Sequence, residues 1–170
     1  MKDQTVKKGN GLADARSLTF SAIVMALYVV IMFFTQSFAF GQYQVRIATS
    51  LYALAAINPV LIIPLGAANF LSNTIMGGLG PMDMMGGFVV GILTAAGCRH
   101  ARKGHLLLVA LPIMVIPTLV VPLWLSPLIS VPYGILAVSI GVGQVIPGIV
   151  GVMLVKYLEG PLSDRWLSER

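Results

Sequence analysis

The sequence predicts an all-α integral membrane protein built as a bundle of six transmembrane helices, and the distribution of charge is the main reason. Residues 17–98 carry only two charged side chains, Arg46 and Asp83, and residues 104–155 carry none. Uncharged apolar stretches longer than about 18 residues are typical of membrane spans, because about 20 helical residues cross a hydrocarbon core of about 30 Å. Only 10% of all residues are charged and the mean hydropathy is +0.90, which is atypical of a soluble domain.

The positive charges lie at the ends of the apolar stretches, in clusters at residues 2–16, at residues 99–103 and from Lys156 onward. Basic residues beside spans remain in the cytoplasm. The pattern therefore predicts a multi-pass protein of the cell membrane with both termini in the cytoplasm. The net charge of +5 is expected to attract anionic headgroups of the lipid bilayer, and no nucleic acid partner is predicted.

Basic clusters on one side of the membrane require an even number of crossings between them. Residues 17–98 have room for four short spans, and residues 104–156 for two. Asn58-Pro59 and Ser126-Pro127 are expected to interrupt helices, because the residue before a proline resists the helical conformation. The predicted helices are 17–38, 46–58, 60–76, 82–98, 105–125 and 132–157.

Three parts are predicted along the chain: a cytoplasmic N-terminal segment 1–16, a six-helix membrane domain 17–159 and a polar cytoplasmic tail 160–170. Gly160-Pro161 is expected to end the last helix. The first apolar run, residues 18–34, is longer than the about 7–15 residues of a signal-peptide core. We therefore interpret it as a retained first helix.

Arg46 and Asp83 both fall beside outer connections on this topology, which predicts that a polar ligand binds near the outer face. Arg46 follows the polar loop Gln42-Tyr43-Gln44, in which Tyr43 is a candidate ligand contact and which would form a lid. An arginine at a span end also snorkels to lipid phosphates. Asp83 begins the fourth helix, where a carboxylate either caps the helix or pairs with a cationic or amidine-bearing ligand.

Buried amides are the next candidates for substrate binding. Asn69 and Asn73 lie four residues apart on one face of the third helix, and Gln144 is the isolated polar residue of the sixth. Such amides are costly in a membrane unless they pair with a neighbour or a ligand, and both interpretations stay open. Tyr52 and Tyr133 would supply stacking surfaces for a ligand, or would anchor their helices at the interface.

Small residues recur at helical spacing in two places. Ala22 and Ala26 form a small-xxx-small pair on the first helix, which allows another helix to approach closely. That helix belongs either to this chain's own bundle or to a partner subunit. Gly87, Gly91 and Ala95 form a longer stripe on the fourth helix, which we expect to pack inside the bundle.

The sequence lacks the residue patterns of an enzyme. It contains no G-x-x-x-x-G-K-[ST] motif, and Asp83 has no second membrane carboxylate near it. His100 and His105 border the basic loop and are expected to be solvated, so neither a metal site nor another cofactor is predicted. Trp124 is interpreted as a residue of the outer aromatic belt. We expect a protein without catalytic activity.

Several segments together resemble a known family over residues 17–159. They are Ala22-xxx-Ala26, the stretch FGQYQVRIA at 40–48, the Pro59–Pro64–Gly66 run and the stretch from Asn69 that ends in GGLGPMD at Asp83. In these the chain resembles the substrate-binding S-components of energy-coupling factor (ECF) transporters, and within them the QueT family. The resemblance implies six helices, a site near the outer face partly covered by the loop after helix one, a transmembrane coupling subunit and two cytosolic ATPases. It also implies that the subunit topples in the membrane and docks through the Ala22/Ala26 face.

The QueT resemblance further implies a queuosine precursor, a deazaguanine base, as the substrate. Asp83 would then pair with the amino-pyrimidine edge or an aminomethyl cation, Arg46 or an asparagine with the carbonyl, and a tyrosine with the ring. Thr49 departs from the family pattern, which has a glutamate at that position. The alternatives are an S-component for another vitamin or micronutrient, a stand-alone oligomeric channel or secondary carrier, a membrane enzyme, and a structural or assembly protein.

Overall fold

Helices account for every regular element in the described part of the chain. The computed structural model describes residues 3–39, 44–76 and 78–167, with side chains described from residue 15 to residue 161 of these ranges. The elements are α1 (Asp3–Ala39), a 3-10 helix that we call the central helix (Ile47–Ala56), a 3-10 turn (Pro59–Leu61) leading into α2 (Ile62–Ile75), α3 (Pro81–Ala101), a second turn (Leu106–Val109) leading into α4 (Ala110–Ile129), and α5 (Tyr133–Leu167). The predicted all-α bundle of six helices is confirmed.

Four of these helices are long and apolar enough to cross a membrane. They comprise Ala15–Ala39, Pro81–Ala101, Leu106–Ile129 and Tyr133–Pro161. Their outward faces carry large apolar side chains, such as Phe34 with 79% of its surface exposed and Val138 with 70%. Apolar surface of this extent is unfavourable in water and matches lipid tails. The chain is therefore a multi-pass membrane protein.

The central helix is shorter than the predicted second span. Ten residues of 3-10 helix rise about 2.0 Å each, so the element is about 20 Å long, which is less than the hydrocarbon thickness of about 30 Å. Every residue after Ile47 in it is buried. It packs against α1, α3 and α5, which shield it from lipid. Its length is therefore set by packing against protein.

The helices place the two charged regions at opposite ends of the bundle. Arg46 and Asp83 lie at the starts of the central helix and α3, and we call this the site end. At the other end, the basic end, Arg99 Nη1 donates to the Ala56 carbonyl at 3.0 Å. There Arg102 Nη2 also lies 2.7 Å from the carboxylate of Glu159 on α5. The central helix, α3 and α5 thus run in the same direction.

Glycine allows α2 and α3 to meet at backbone distance. A Cβ added to Gly91 would lie 2.8 Å from the Cα of Gly66. Gly87 and Ala95 of the same stripe are also buried. The prediction that this stripe packs inside the bundle is confirmed.

Proline 127 does not end α4, although the sequence predicted a break at Ser126-Pro127. The helix continues to Ile129 and stops at Ser130, whose φ of 57° and ψ of 34° are left-handed. The Ser126 hydroxyl donates to the Val131 carbonyl at 2.7 Å, which ties the helix end to the turn. A proline removes one hydrogen bond of a helix, and a membrane helix tolerates that loss where other groups re-satisfy the freed carbonyl.

The ends of α1 and α5 also differ from the predicted boundaries. α1 begins at Asp3, so residues 3–16, predicted as a separate segment, are continuous with the first span. α5 passes through Gly160-Pro161 and ends at Leu167, so the predicted stop is wrong. One proline near the end of a long helix removes a single backbone bond, which the turns on both sides outweigh.

The contact between α2 and α3 generates a prediction about stability. Gly91→Ala places a methyl group against the backbone of Gly66, and overpacking of this kind costs about 1–3 kcal/mol. We expect a lower melting temperature in detergent, measured by a thiol-reactive dye that detects exposure of Cys98, the single and buried cysteine. Gly134→Ala is the control, because a Cβ there meets no atom within 4 Å. Equal melting temperatures for the two variants would contradict the close approach.

Candidate ligand-binding site

A cavity of about 730 Å³ opens at the site end of the bundle, and we call it the vestibule. Its walls are mainly apolar side chains of α4 and α5, and its polar groups come from the end of α1, from the residues before the central helix, from the start of α3 and from Ser139 of α5. The residues that line it include Gln44, Arg46, Leu79, Asp83, Val121 and Leu125. A cavity of this size accommodates a small molecule.

A second, much smaller space of about 20 Å³ adjoins the vestibule, and we call it the inner chamber. It holds about one water molecule. Gln44, Arg46, Asp83 and Val121 line both spaces. The inner chamber is the more polar of the two, since it is also lined by Thr49, Tyr52, Asn69, Asn73, Trp124 and Gln144.

Arg46 lies immediately before the central helix, and two asparagines of α2 accept hydrogen bonds from its guanidinium. Arg46 Nη1 donates to Asn69 Oδ1 and to Asn73 Oδ1, each at 3.3 Å. The asparagines face the same way because residues four apart share one face of a helix. In turn, Asn69 Nδ2 donates to the Gly87 carbonyl at 2.8 Å, and Asn73 Nδ2 donates to the Asp83 carbonyl at 3.2 Å. Each amide therefore joins the arginine to the backbone of α3.

Gly87 makes room for these amides. A Cβ at this position would lie 2.6 Å from Asn73 Nδ2 and 3.3 Å from Asn69 Oδ1. Any larger residue would displace at least one amide from its hydrogen bonds.

Asp83 is 5% exposed and is held at both oxygens. Oδ1 accepts a hydrogen bond from Trp124 Nε1 at 3.1 Å, and Oδ2 accepts one from the Leu79 backbone N–H at 3.3 Å. A carboxylate has about four acceptor sites, so acceptor capacity remains beyond these two bonds. Asp83 lines the two cavities, and the N–H that it binds belongs to Leu79, which precedes the N-cap residue Gly80 of α3.

Gln144 of α5 lies beside the central helix and is 1% exposed. The Thr49 hydroxyl donates to Gln144 Oε1 at 2.9 Å. Thr49 and Gln144 therefore form a neutral hydrogen-bonded pair between the central helix and α5. Tyr52, one turn of 3-10 helix after Thr49, also lines the inner chamber, and its hydroxyl lies 3.1 Å from the Tyr28 hydroxyl of α1.

The structure brings five of the predicted substrate-binding residues to one place, since the lining of the inner chamber includes Arg46, Asn69, Asn73, Asp83 and Gln144. Tyr133 lies elsewhere: its hydroxyl donates to the Leu119 carbonyl at 2.8 Å, and 39% of its surface is exposed. Tyr43 falls outside the described residues.

The predicted position of Trp124 at the membrane interface is wrong. Trp124 was predicted to lie in the outer aromatic belt, but it is 8% exposed and lines the inner chamber. A Cβ on Gly86 would lie 2.6 Å from its ring, so α3 leaves space for the indole. The sequence placed Trp124 and Asp83 at the same end of their spans, but it carried no signal that the two side chains face each other.

Ala22 and Ala26 lie on the exposed face of α1. The opposite face of this helix packs into the bundle through Val24 and Tyr28. The two alanines are therefore available to another helix in the membrane.

A polar cluster that opens through a vestibule at one end of a lipid-facing bundle is typical of a membrane transporter for a small polar molecule. A family model described as QueT transporter matches residues 18–160, and the chain belongs to this family of membrane transporters. No curated protein and no solved structure matches the chain.

The asparagine pair generates a second prediction. Asn73→Leu keeps the approximate shape of the side chain but removes one acceptor of the Arg46 guanidinium and the donor to the Asp83 carbonyl. Leaving buried polar groups with fewer partners costs about 1–3 kcal/mol, so we expect a lower melting temperature in detergent. Thr74→Val on the same helix is the control, because Thr74 is exposed and bonds only to the Phe70 carbonyl of its own turn. If Asn73→Leu melts no lower than this control, the network does not stabilise the bundle.

Proposed function

We propose that the chain is the substrate-binding subunit of an ECF-type importer and that it takes up a queuosine precursor, a deazaguanine base. The observation that carries this proposal is the convergence of Arg46, Asp83 and two asparagines beside a vestibule of about 730 Å³. Small-molecule sites typically measure about 300–1,000 Å³ and combine apolar walls with a few oriented polar groups. Membership in the QueT transporter family supports transport as the function.

The chemistry of a deazaguanine complements these side chains. Its amino-pyrimidine edge presents two adjacent N–H donors, which a carboxylate such as Asp83 accepts in parallel. Its ring carbonyl accepts a hydrogen bond, which Arg46 or an asparagine amide donates. The planar ring fits between apolar walls such as Val121 and Leu125. In this proposal Tyr43 also contacts the ring.

The charges support an orientation for the site in this proposal. Since basic residues beside spans remain in the cytoplasm, the basic end faces inward and the vestibule faces the outside. The sequence carries no P-loop motif, so the proposal assigns ATP hydrolysis to two cytosolic ATPases joined through a transmembrane coupling subunit. The exposed Ala22 and Ala26 then form the surface on which the coupling subunit packs.

A binding experiment tests the substrate. Purified protein is expected to bind 7-deazaguanine or its 7-aminomethyl derivative with submicromolar affinity, measured by isothermal titration calorimetry. Asp83→Asn replaces half of the acceptor group by a donor, and we expect it to weaken binding by at least tenfold, or about 1.4 kcal/mol. Glu159→Gln is the matched control, because this carboxylate lies at the basic end and its loss leaves the site unchanged.

The result that would contradict the substrate is the absence of binding to every deazaguanine. Binding of another micronutrient would then favour a different S-component.

A transport experiment tests the partners. Ala22→Leu combined with Ala26→Leu is expected to abolish ATP-dependent uptake in cells that contain the coupling subunits, since bulky side chains prevent close helix packing. Ligand binding by the purified variant is expected to stay unchanged. Val138→Leu with Val142→Leu is the control, because it enlarges an exposed pair at the same spacing on α5.

Uptake that survives the double alanine change would refute the docking role. Uptake that needs no ATPase at all would instead favour a stand-alone channel or secondary carrier.

A further inference from the structure

Trp124 and Asp83 form a contact between buried groups of two different helices. The indole N–H of α4 donates to Asp83 Oδ1 at 3.1 Å, and the two residues are 8% and 5% exposed. Both line the inner chamber. The indole ring also lies against Gly86, where an added Cβ would come within 2.6 Å. The ring is therefore held on one face by α3 while its N–H reaches the carboxylate.

The consequence of this contact concerns the orientation of the carboxylate. A single hydrogen bond, from the Leu79 N–H to Oδ2, leaves a carboxylate able to rotate about its χ2 torsion. A second bond to Oδ1 from a different element holds both oxygens and so defines the plane of the group. Hydrogen bonds to a charged acceptor are also stronger than bonds between neutral groups. The hydrogen bond from Trp124 therefore helps to fix the orientation that the Asp83 carboxylate presents to a ligand.

We propose that Trp124 is a positioning residue that orients Asp83 to accept two parallel N–H donors, and that this geometry selects ligands with an amidine-like edge. The inference rests on the proposed function, because it concerns the same site. It goes further in assigning selectivity to a residue that need not touch the ligand. A ligand with two adjacent donors gains from the fixed carboxylate plane, whereas a ligand with one donor gains much less.

The test compares two bases that differ in one group. 7-Deazaguanine carries the exocyclic amine, and 7-deazahypoxanthine lacks it while retaining the ring N–H and the carbonyl. Wild-type protein is expected to bind 7-deazaguanine more tightly. Trp124→Phe is expected to weaken binding of 7-deazaguanine by about tenfold, which corresponds to about 1.4 kcal/mol, and that of 7-deazahypoxanthine by at most about twofold.

Two further variants distinguish loss of the hydrogen bond from a general loss of structure. Benzothienylalanine at position 124 keeps the shape of tryptophan but has sulfur in place of the N–H, and it is expected to reproduce the loss of selectivity. Trp166→Phe makes the same exchange at the second tryptophan of the chain and is expected to bind like the wild type. In that variant the only indole is Trp124, so the Raman band of its N–H is expected to shift when Asp83→Asn is added.

The outcomes separate this inference from the proposed function. If the wild type binds neither base, the proposed substrate and this inference both fail. If the wild type binds 7-deazaguanine but Trp124→Phe weakens both bases equally, or weakens neither, only the positioning role is refuted. Loss of selectivity in both the phenylalanine and the sulfur variant supports it.

Discussion

The main constraint at the site end is that the charged Arg46 guanidinium needs hydrogen-bond partners inside a largely apolar bundle. A charged group in a membrane is tolerated only where protein groups or water replace its hydration. Asn69 and Asn73 accept hydrogen bonds from the arginine, and their own amide N–H groups donate hydrogen bonds to backbone carbonyls of α3. This arrangement requires Gly87 beneath the amides, and it joins the central helix, α2 and α3 at one end. The same contacts that stabilise the charge therefore define the site.

Much of this arrangement was predictable from the sequence. The scarcity of charge predicted a membrane bundle, and the basic clusters predicted which ends of the helices lie together. Arg46, Asp83 and the two asparagines were predicted as ligand contacts because each is expensive in lipid without a partner. These four residues and Gln144 line one chamber, and their role as ligand contacts stays a prediction. They lie together because polar groups inside a membrane protein are stable only beside other polar groups or water.

Other features were not predictable, for reasons that are also physical. Trp124 was assigned to the interface because an isolated tryptophan near a span end gives no sign of a partner that lies 41 residues away in sequence. The bounds predicted for the second span, 46–58, lie within two residues of the central helix, but its 3-10 winding was not predicted, because a short run of uniformly buried residues shows no helical periodicity. Helix ends at Pro127 and Pro161 were misplaced because one lost hydrogen bond does not decide where a long helix stops.

The winding of the central helix links the two ends of the molecule. Its ten residues run from the position after Arg46, at the site end, to Ala56 at the basic end. The Ala56 carbonyl accepts a hydrogen bond from Arg99. The same ten residues wound as an α-helix would be about 5 Å shorter, because the rise falls from about 2.0 Å to about 1.5 Å per residue. A change between the two windings would therefore shift one end of the segment by about 5 Å along its axis relative to the other end. Because Arg46 precedes one end and Arg99 binds the carbonyl at the other, such a change would alter the spacing between these two arginines.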